Sequence, residues 1–288
     1  MNSNSIDVRR PALYIVGTPI GNLSDFSARA QQVLRSVDLI LAEDTRRSRF
    51  LLKNYQIDNK ISSYHDFSDV DQSGKIIKKM LEKPSAIALI SDSGTPLISD
   101  PGFKLVKNGI AANIPIIPIP GPSALVACLS ISDLPADKFV FEGFLSSKEG
   151  LRDRRLRELE NESRSMVFYE APHRILNFMQ SVEKIMGGDR HVVVAREMTK
   201  IHETFYRGSV SEVLLTLVQS PFARRGEFTV IVGGAAESPS DIEVQVDDWL
   251  RVLLQELDIK TAVKILTKIT KARRNLIYER ALYLSKCL

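Results

Sequence analysis

Short apolar runs alternate with amphipathic stretches along the first 130 or so residues. The runs Ala12 to Val16, Asp38 to Ala42, Ala86 to Ile90 and Ile114 to Ile119 are bounded by turn residues and read as buried parallel strands. Between them the pattern predicts helices from Phe26 to Arg35 (capped by Ser24 or Asp25), Arg46 to Asn54, Lys75 to Leu81 and Pro101 to Asn108. Asp100 stands where a cap belongs for the last of these, and Pro101 at its first helical position, where a missing N–H costs nothing. Pro120-Gly121-Pro122-Ser123 then opens an apolar helix that runs through Ser130. Such alternation of strand and helix is the signature of a parallel βαβ sheet.

The pattern breaks near Asp133 to Lys138, which predicts a domain boundary. Beyond it, strands are expected at Phe139 to Phe144, Ser165 to Tyr169, His191 to Arg196, Glu203 to Gly208 and Gly226 to Val232. The intervening helices are Leu151 to Asn161, Pro172 to Ile185 and Ser211 to Gln219, an α+β arrangement with mixed strand pairing. Gly233 to Asp241, rich in Ala, Ser and Pro, reads as a linker. Three helical patterns follow it: Asp247 to Leu257, Thr261 to Thr270 and Arg273 to Leu284. The expected class is therefore α/β, with domains at 11–133 and 134–234 and a small basic helical domain at 242–288.

Composition narrows the partners. The 288 residues are 44% hydrophobic and 26% charged, as in an ordinary globular protein of two or three domains. The polar stretch Met1 to Arg10 has no apolar core of a signal peptide, and no apolar run approaches the roughly 20 residues that span a bilayer. Cys128 and Cys287 make no disulfide framework, which fits a reducing cytoplasm. His65, His173, His191 and His202 lack metal-ligand spacing, so no metal site is expected. The net charge of +4 is uneven: Lys260 to Leu288 holds eight basic residues against Glu279 alone, and the rest of the chain sums to −3. Lys260, Lys264, Lys268 and Lys271 share one helix face opposite Ala262, Val263, Leu266 and Ile269, and the turn into Arg273-Arg274 resembles a helix-turn-helix. A polyanion partner or a merely solvated face would each account for this tail.

Three strand-to-helix loops share one character. Gly17 to Asn22, Ser91 to Gly102 and Pro118 to Ser123 are built of Gly, Pro and small hydroxyl residues. If their strands are parallel, all three lie on the carboxyl edge, where open α/β sheets bind ligands. Neither phosphate-binding glycine fingerprint is present and the loops hold no lysine, so a phosphate-free adenosine ligand suits them best. Basic residues also occupy helix first turns, where the macrodipole prefers acids: Arg46, Arg47 and Arg49 in one, His173 and Arg174 in another. With Arg224 and Arg225 before Gly226, they are candidates for nucleic-acid phosphates, although pairing with Glu43, Asp44 or Glu170 explains any one of them equally well.

Six ordered motifs resemble the tetrapyrrole methylase superfamily, in its branch acting on small-subunit ribosomal RNA. They are Tyr14 to Leu23, Ala42 to Arg46, Ser91 to Gly102, Pro120 to Ala124, Phe168 to Arg174, and Ala195 to Lys200 with Glu203-Thr204. The resemblance covers about residues 11–234, and the tail is similar to that branch's C-terminal domain. It implies S-adenosylmethionine bound in a cleft between two α/β domains, 2′-O-methylation of a cytidine ribose in 16S rRNA, and a homodimer. By that pattern Ile20, Gly94, Thr95, Ile98, Ser123, Ala124 and Tyr169 line the cofactor site; Ser93 stands where alanine is usual. Glu170 and Asp25 are the favoured general-base candidates, ahead of Glu43 and Asp44. RNA contacts are expected from Arg46, Arg47, Arg174, Arg224, Arg225, Lys264, Lys268, Arg273 and Arg274, with the rRNA or the 30S particle as partner. Two alternatives stay open: a methylase of the same fold acting on a small tetrapyrrole, and a non-catalytic nucleic-acid-binding protein.

Overall fold

In the computed structural model, which describes residues 7–66, 71–222, 225–235, 241–270 and 274–285, the buried runs of the N-terminal part form one parallel sheet. Its strands are β1 (Ala12–Val16), β2 (Leu39–Ala42), β3 (Ile61–Ser63), β4 (Ala86–Ile90) and β5 (Ile116–Ile119), in the order β3-β2-β4-β1-β5. The two central strands are buried on both faces, which is why they read as continuous apolar runs. Ala12, Tyr14 and Val16 of β1 pack with α1 (Ala28–Ser36), while Leu13 packs on the other face with α3 (Gln72–Glu82) and α4 (Phe103–Ala111). In α1 the buried Ala30, Val33 and Leu34 fall at helical spacing and supply the stripe that covers the sheet. The edge strand β3 was not expected: it has three residues and a single apolar one, too little for a periodic signal.

Two helix starts differ from expectation. The first helix is capped by Ser27, whose hydroxyl accepts from the Ala30 N–H at 3.1 Å, while Ser24 and Asp25 lie in the 3-10 turn Leu23–Asp25. The helix expected from Pro101 begins at Phe103, after Gly102 at φ +137°, so Asp100 is not its cap. Its capping carboxylate comes from a distance: Asp66 Oδ2 accepts from the Gly102 and Phe103 N–H groups at 2.8 and 3.1 Å. The preceding helix, α2 (Thr45–Asn54), is capped by Asp44, which accepts from the Arg46 N–H at 2.8 Å.

The second sheet contains β6 (Phe139–Phe144), β7 (Ser165–Glu170), β8 (His191–Arg196), β9 (Thr204–Ser209) and β10 (Phe228–Val232), ordered β6-β7-β10-β8-β9. Only β6 and β7 are parallel; β10 runs antiparallel to both β7 and β8. One face packs on α6 (Glu149–Glu158), α7 (Ile175–Met186) and α8 (Val210–Gln219). The other is covered by α5 (Ala124–Ser130), which follows β5 of the first sheet: Cys128 and Leu129 pack against Val167, Val193, Ala195 and Ile231. A boundary drawn at residue 133 thus leaves α5 with the first sheet in sequence but on the second in space. A further compact unit begins after Gly234, within the expected linker. It consists of α9 (Asp241–Glu256), α10 (Ile259–Thr270) and α11 (Arg274–Leu284), packed around Val246, Leu250, Ala262, Val263, Leu266, Ile277 and Ala281.

Candidate cofactor site and nucleic-acid groove

Because β4, β1 and β5 are neighbours and parallel, their following loops emerge side by side at one carboxyl edge. Thr18 and Gly94 exchange backbone hydrogen bonds of 2.8 and 3.1 Å. The fully buried Thr18 hydroxyl donates to the Ser91 carbonyl at 3.2 Å. Gly17 and Gly121 let the first and third loops touch through their backbones, since a Cβ on Gly121 would lie 2.8 Å from the Gly17 Cα. Gly94 sits at φ +80°, a conformation that side chains disfavour.

The second sheet closes the site from the other side. The β7–β10 register sets Phe228 opposite Glu170 and Thr229 opposite Tyr169. The Tyr169 hydroxyl oxygen accepts from the Leu125 N–H at the start of α5 (3.2 Å), and Phe141 and Phe144 pack on its ring at 5.1 and 5.6 Å. Between the two walls lies a cavity of about 300 Å³. Its first wall is Ile20, Ser93, Gly94, Thr95, Ile98, Ser99, Asp100, Ser123 and Ala124; its second includes Phe144, Tyr169, Glu170, Ala171, Pro172, Glu227, Phe228 and Thr229. The seven residues expected at a cofactor site are brought together here.

Among the described residues no lysine or arginine lines this cavity, whereas three carboxylates do. Burial, with Glu43 and Asp92 nearby, pushes the Asp100 carboxyl up to about 6, and only the Ser91 side chain pulls it down. Burial also raises Glu170, against the Ala171 N–H and the Arg174 guanidinium, which favour its ionised form. Apolar walls and an acidic lining suit a ligand with an aromatic part and a positive charge. S-adenosylmethionine, with its adenine, sulfonium and ammonium groups, has that chemistry, and the residues present fit it.

A second concavity, of about 530 Å³, adjoins the first and shares Ile20, Ser93 and Glu227 with it. It is lined by Arg46, Arg47, Phe50 and Leu51 of α2, by Pro19, Gly21 and Leu23, and by Asp92 and Lys200. Arg47 lies 3.4 Å from Asp92, and the Lys200 ammonium is 2.9 Å from Glu197 and 3.0 Å from Glu227. Glu197 and Thr199 both adopt positive φ, 53° and 66°, in the turn that carries Lys200 against Gly21. The Asn22 N–H donates to the Thr199 hydroxyl at 3.1 Å, so the loops of the two sheets meet at the mouth of the site.

The remaining expected residues are dispersed. Asp25 lies on an exposed turn and lines neither cavity, so the geometry gives it no part as a base. Glu170 lines the cavity, but its carboxylate accepts from the Ala171 N–H at 2.7 Å and pairs with Arg174 at 3.0 Å. Arg174 is held in turn, donating to the Leu145 carbonyl at 2.5 Å, and so braces the wall instead of facing the groove. Arg225, Lys264, Lys268 and Arg274 are exposed, the last three on the C-terminal helices, and Arg224 and Arg273 lie outside the described residues. Sequence reasoning missed Asp100 as a lining group, having taken it for a cap. It also missed Phe144, which the β6–β7 register sets beside Tyr169, and Glu227, Phe228 and Thr229 at the start of β10, which the β7–β10 register brings to the site.

Residues 12–214 match the family model for tetrapyrrole (corrin/porphyrin) methylases. This chain belongs to that family. A second model, the RsmI C-terminal HTH domain, matches residues 240–285. Among relatives of this methylase are proteins named ribosomal RNA small subunit methyltransferase I. The one from Pseudomonas aeruginosa is 42% identical over 94% of this chain and 96% of its own length. That of Synechocystis sp. is also 42% identical, over 94% and 98%, and that of Escherichia coli O157:H7 is 39% identical, over 96% and 97%. The fold is similar to that of the methyltransferase CobJ (TM-score 0.56, 16% identity, 78% of this chain and 95% of that one). It is likewise similar to uroporphyrin-III-C-methyltransferase from Thermus thermophilus (TM-score 0.54, 17% identity, 78% and 94%). Among the described residues no helix is long and apolar enough to cross a membrane.

Proposed function

We propose that this methylase transfers a methyl group from S-adenosylmethionine to the ribose 2′-hydroxyl of a cytidine in 16S ribosomal RNA. The observation that carries the reading is the junction of two unlike cavities: a pocket lined by Asp100, Glu170 and Glu227, with no lysine or arginine among its described residues, opens beside a groove bearing Arg46, Arg47 and Lys200. Relatives over nearly the whole chain bear the name of a small-subunit rRNA methyltransferase, which supplies the substrate class. A small tetrapyrrole substrate needs neither the arginines of the groove nor a C-terminal helix-turn-helix unit.

When bound, S-adenosylmethionine supplies an electrophilic methyl group on a cationic sulfur. Ile20, Ile98, Tyr169 and the Gly94-Thr95 and Ser123-Ala124 backbones would hold it, with the acidic lining facing its positive charge. Holding the acceptor hydroxyl in line with the methyl group is worth about 7–11 kcal/mol of barrier, against about 10²–10⁴-fold for a general base. The rigidity of the loops is therefore the main catalytic contribution. Glu170 acts by fixing the second wall through Arg174, its Oε1 being engaged by the Ala171 N–H and the guanidinium.

Labelled methyl transfer tests the reading. Incorporation is expected from S-adenosylmethionine into 30S particles that lack the modification, with the label in a 2′-O-methylcytidine after nuclease digestion. Incorporation into a porphyrinoid and none into 30S particles would overturn it. A homodimer working in the cytoplasm completes the proposal, and sedimentation of the purified chain reads its association state.

A further inference from the structure

Phe50 stands out among the exposed apolar side chains. It keeps 67% of its surface exposed although it lies only four residues from the end of α2 and close to the buried Leu52. Single exposed apolar residues are ordinary, but this one lines the groove beside the donor pocket. Arg46 and Arg47 precede it by four and three residues, so all three share one helix face. Among the described residues Arg46 makes no ion pair, and Arg47 makes only a long one to Asp92, 3.4 Å away. An aromatic face beside two arginines is the pairing that single-stranded nucleic acids use, the cations taking phosphates and the ring taking a base. The groove, at about 530 Å³, falls within the range of ligand sites, about 300–1,000 Å³.

We propose that this groove seats one unpaired nucleotide of the acceptor RNA, with Phe50 as the stacking platform for its base and Arg46 and Arg47 on the flanking phosphates. The inference rests on the methyl-transfer reading above and adds to it a conformation: the acceptor strand enters unstacked. The groove and the donor pocket share an edge at Ile20, Ser93 and Glu227, so a ribose held between a stacked base and bound phosphates lies next to the methyl donor's cavity. Glu227 accepts from Lys200 at 3.0 Å there, so the ammonium offsets the charge that the carboxylate would set against phosphate.

Full-length Phe50→Ala, Phe50→Leu and Phe50→Trp proteins test this, with KM for 30S particles, Kd for S-adenosylmethionine and sedimentation as readouts. The Phe50→Ala chain is expected to show KM raised about 5- to 100-fold, with unchanged donor Kd and unchanged association state. The Phe50→Trp chain is expected to retain wild-type KM, and Phe50→Leu to behave like Phe50→Ala, because leucine fills space without offering a ring face. An unchanged KM in Phe50→Ala overturns the inference, as does rescue by leucine equal to that by tryptophan. A shift in association state would give the face to a second copy of the chain instead. If the wild-type protein transfers no methyl group to 30S particles, the proposed function itself falls and takes this inference with it. If it does and Phe50→Ala matches it, only the stacking role falls.

Discussion

Asp100 lines the candidate pocket with a carboxyl that the fold disfavours in its ionised form. Burial and the neighbouring Glu43 raise its carboxyl to about 6 from an ordinary 3.8. A raised folded value means that the folded chain holds this proton more tightly than the unfolded one. The associated stability is therefore full below about pH 4 and lost as the pH rises through 6. At pH 7.5 the ionised group costs the ligand-free fold about 1–3 kcal/mol. Asp100→Asn is expected to raise the melting temperature of the ligand-free protein at pH 7.5, to lose that advantage at pH 4, and to weaken binding of the cationic donor. Equal shifts in melting temperature at both pH values would refute the assignment. Gly121 carries a different constraint. A Cβ there would sit 2.8 Å from the Gly17 backbone, so Gly121→Ala is expected to destabilise the protein by about 1–3 kcal/mol, read as a lower urea midpoint at unchanged slope.

At the scale of elements, the N-terminus of α4 depends on a residue far from it in sequence. Asp66 accepts from the N–H groups of the cap residue Gly102 and of Phe103, and the Tyr64 hydroxyl donates to its other oxygen at 2.7 Å. Asp66→Ala is expected to cost about 0.5–2 kcal/mol, measured by denaturant unfolding, whereas Asp100→Ala should not show a capping loss. The same element marks where the sequence stops being legible. Period and turn chemistry revealed β1, β4 and the glycine-rich loops, because a strand buried on both faces and a backbone in close approach each restrict residue type locally. The first wall of the candidate site could be read for that reason. The cap from Asp66, the three-residue β3 and the placement of α5 on the second sheet all depend on long-range packing, which leaves no periodic trace. The far wall at Glu227 to Thr229 was hidden in the same way, since only the antiparallel register beside Tyr169 brings it to the site.

At the scale of the whole molecule, charge divides between a −3 body and a +7 tail. The tail's helices share a core with α9, and their exposed lysines include Lys264 and Lys268, four residues apart on α10. If these hold phosphates, their contribution is counterion release, which is independent of base identity and falls with salt. Neutralising both, as Lys264→Gln with Lys268→Gln, is expected to weaken RNA binding at 50 mM salt and much less at 300 mM. The slope of log affinity against log salt should fall by about 1.4, roughly 0.7 for each single-strand phosphate that the protein no longer neutralises. Donor affinity should not change, because the described residues lining the proposed donor cavity all fall between 20 and 229. Filter binding across a salt series measures the slope and equilibrium dialysis the donor. A slope equal to that of the wild-type protein would make the lysine face simply solvated, and would leave the groove at Arg46 and Arg47 to hold the RNA.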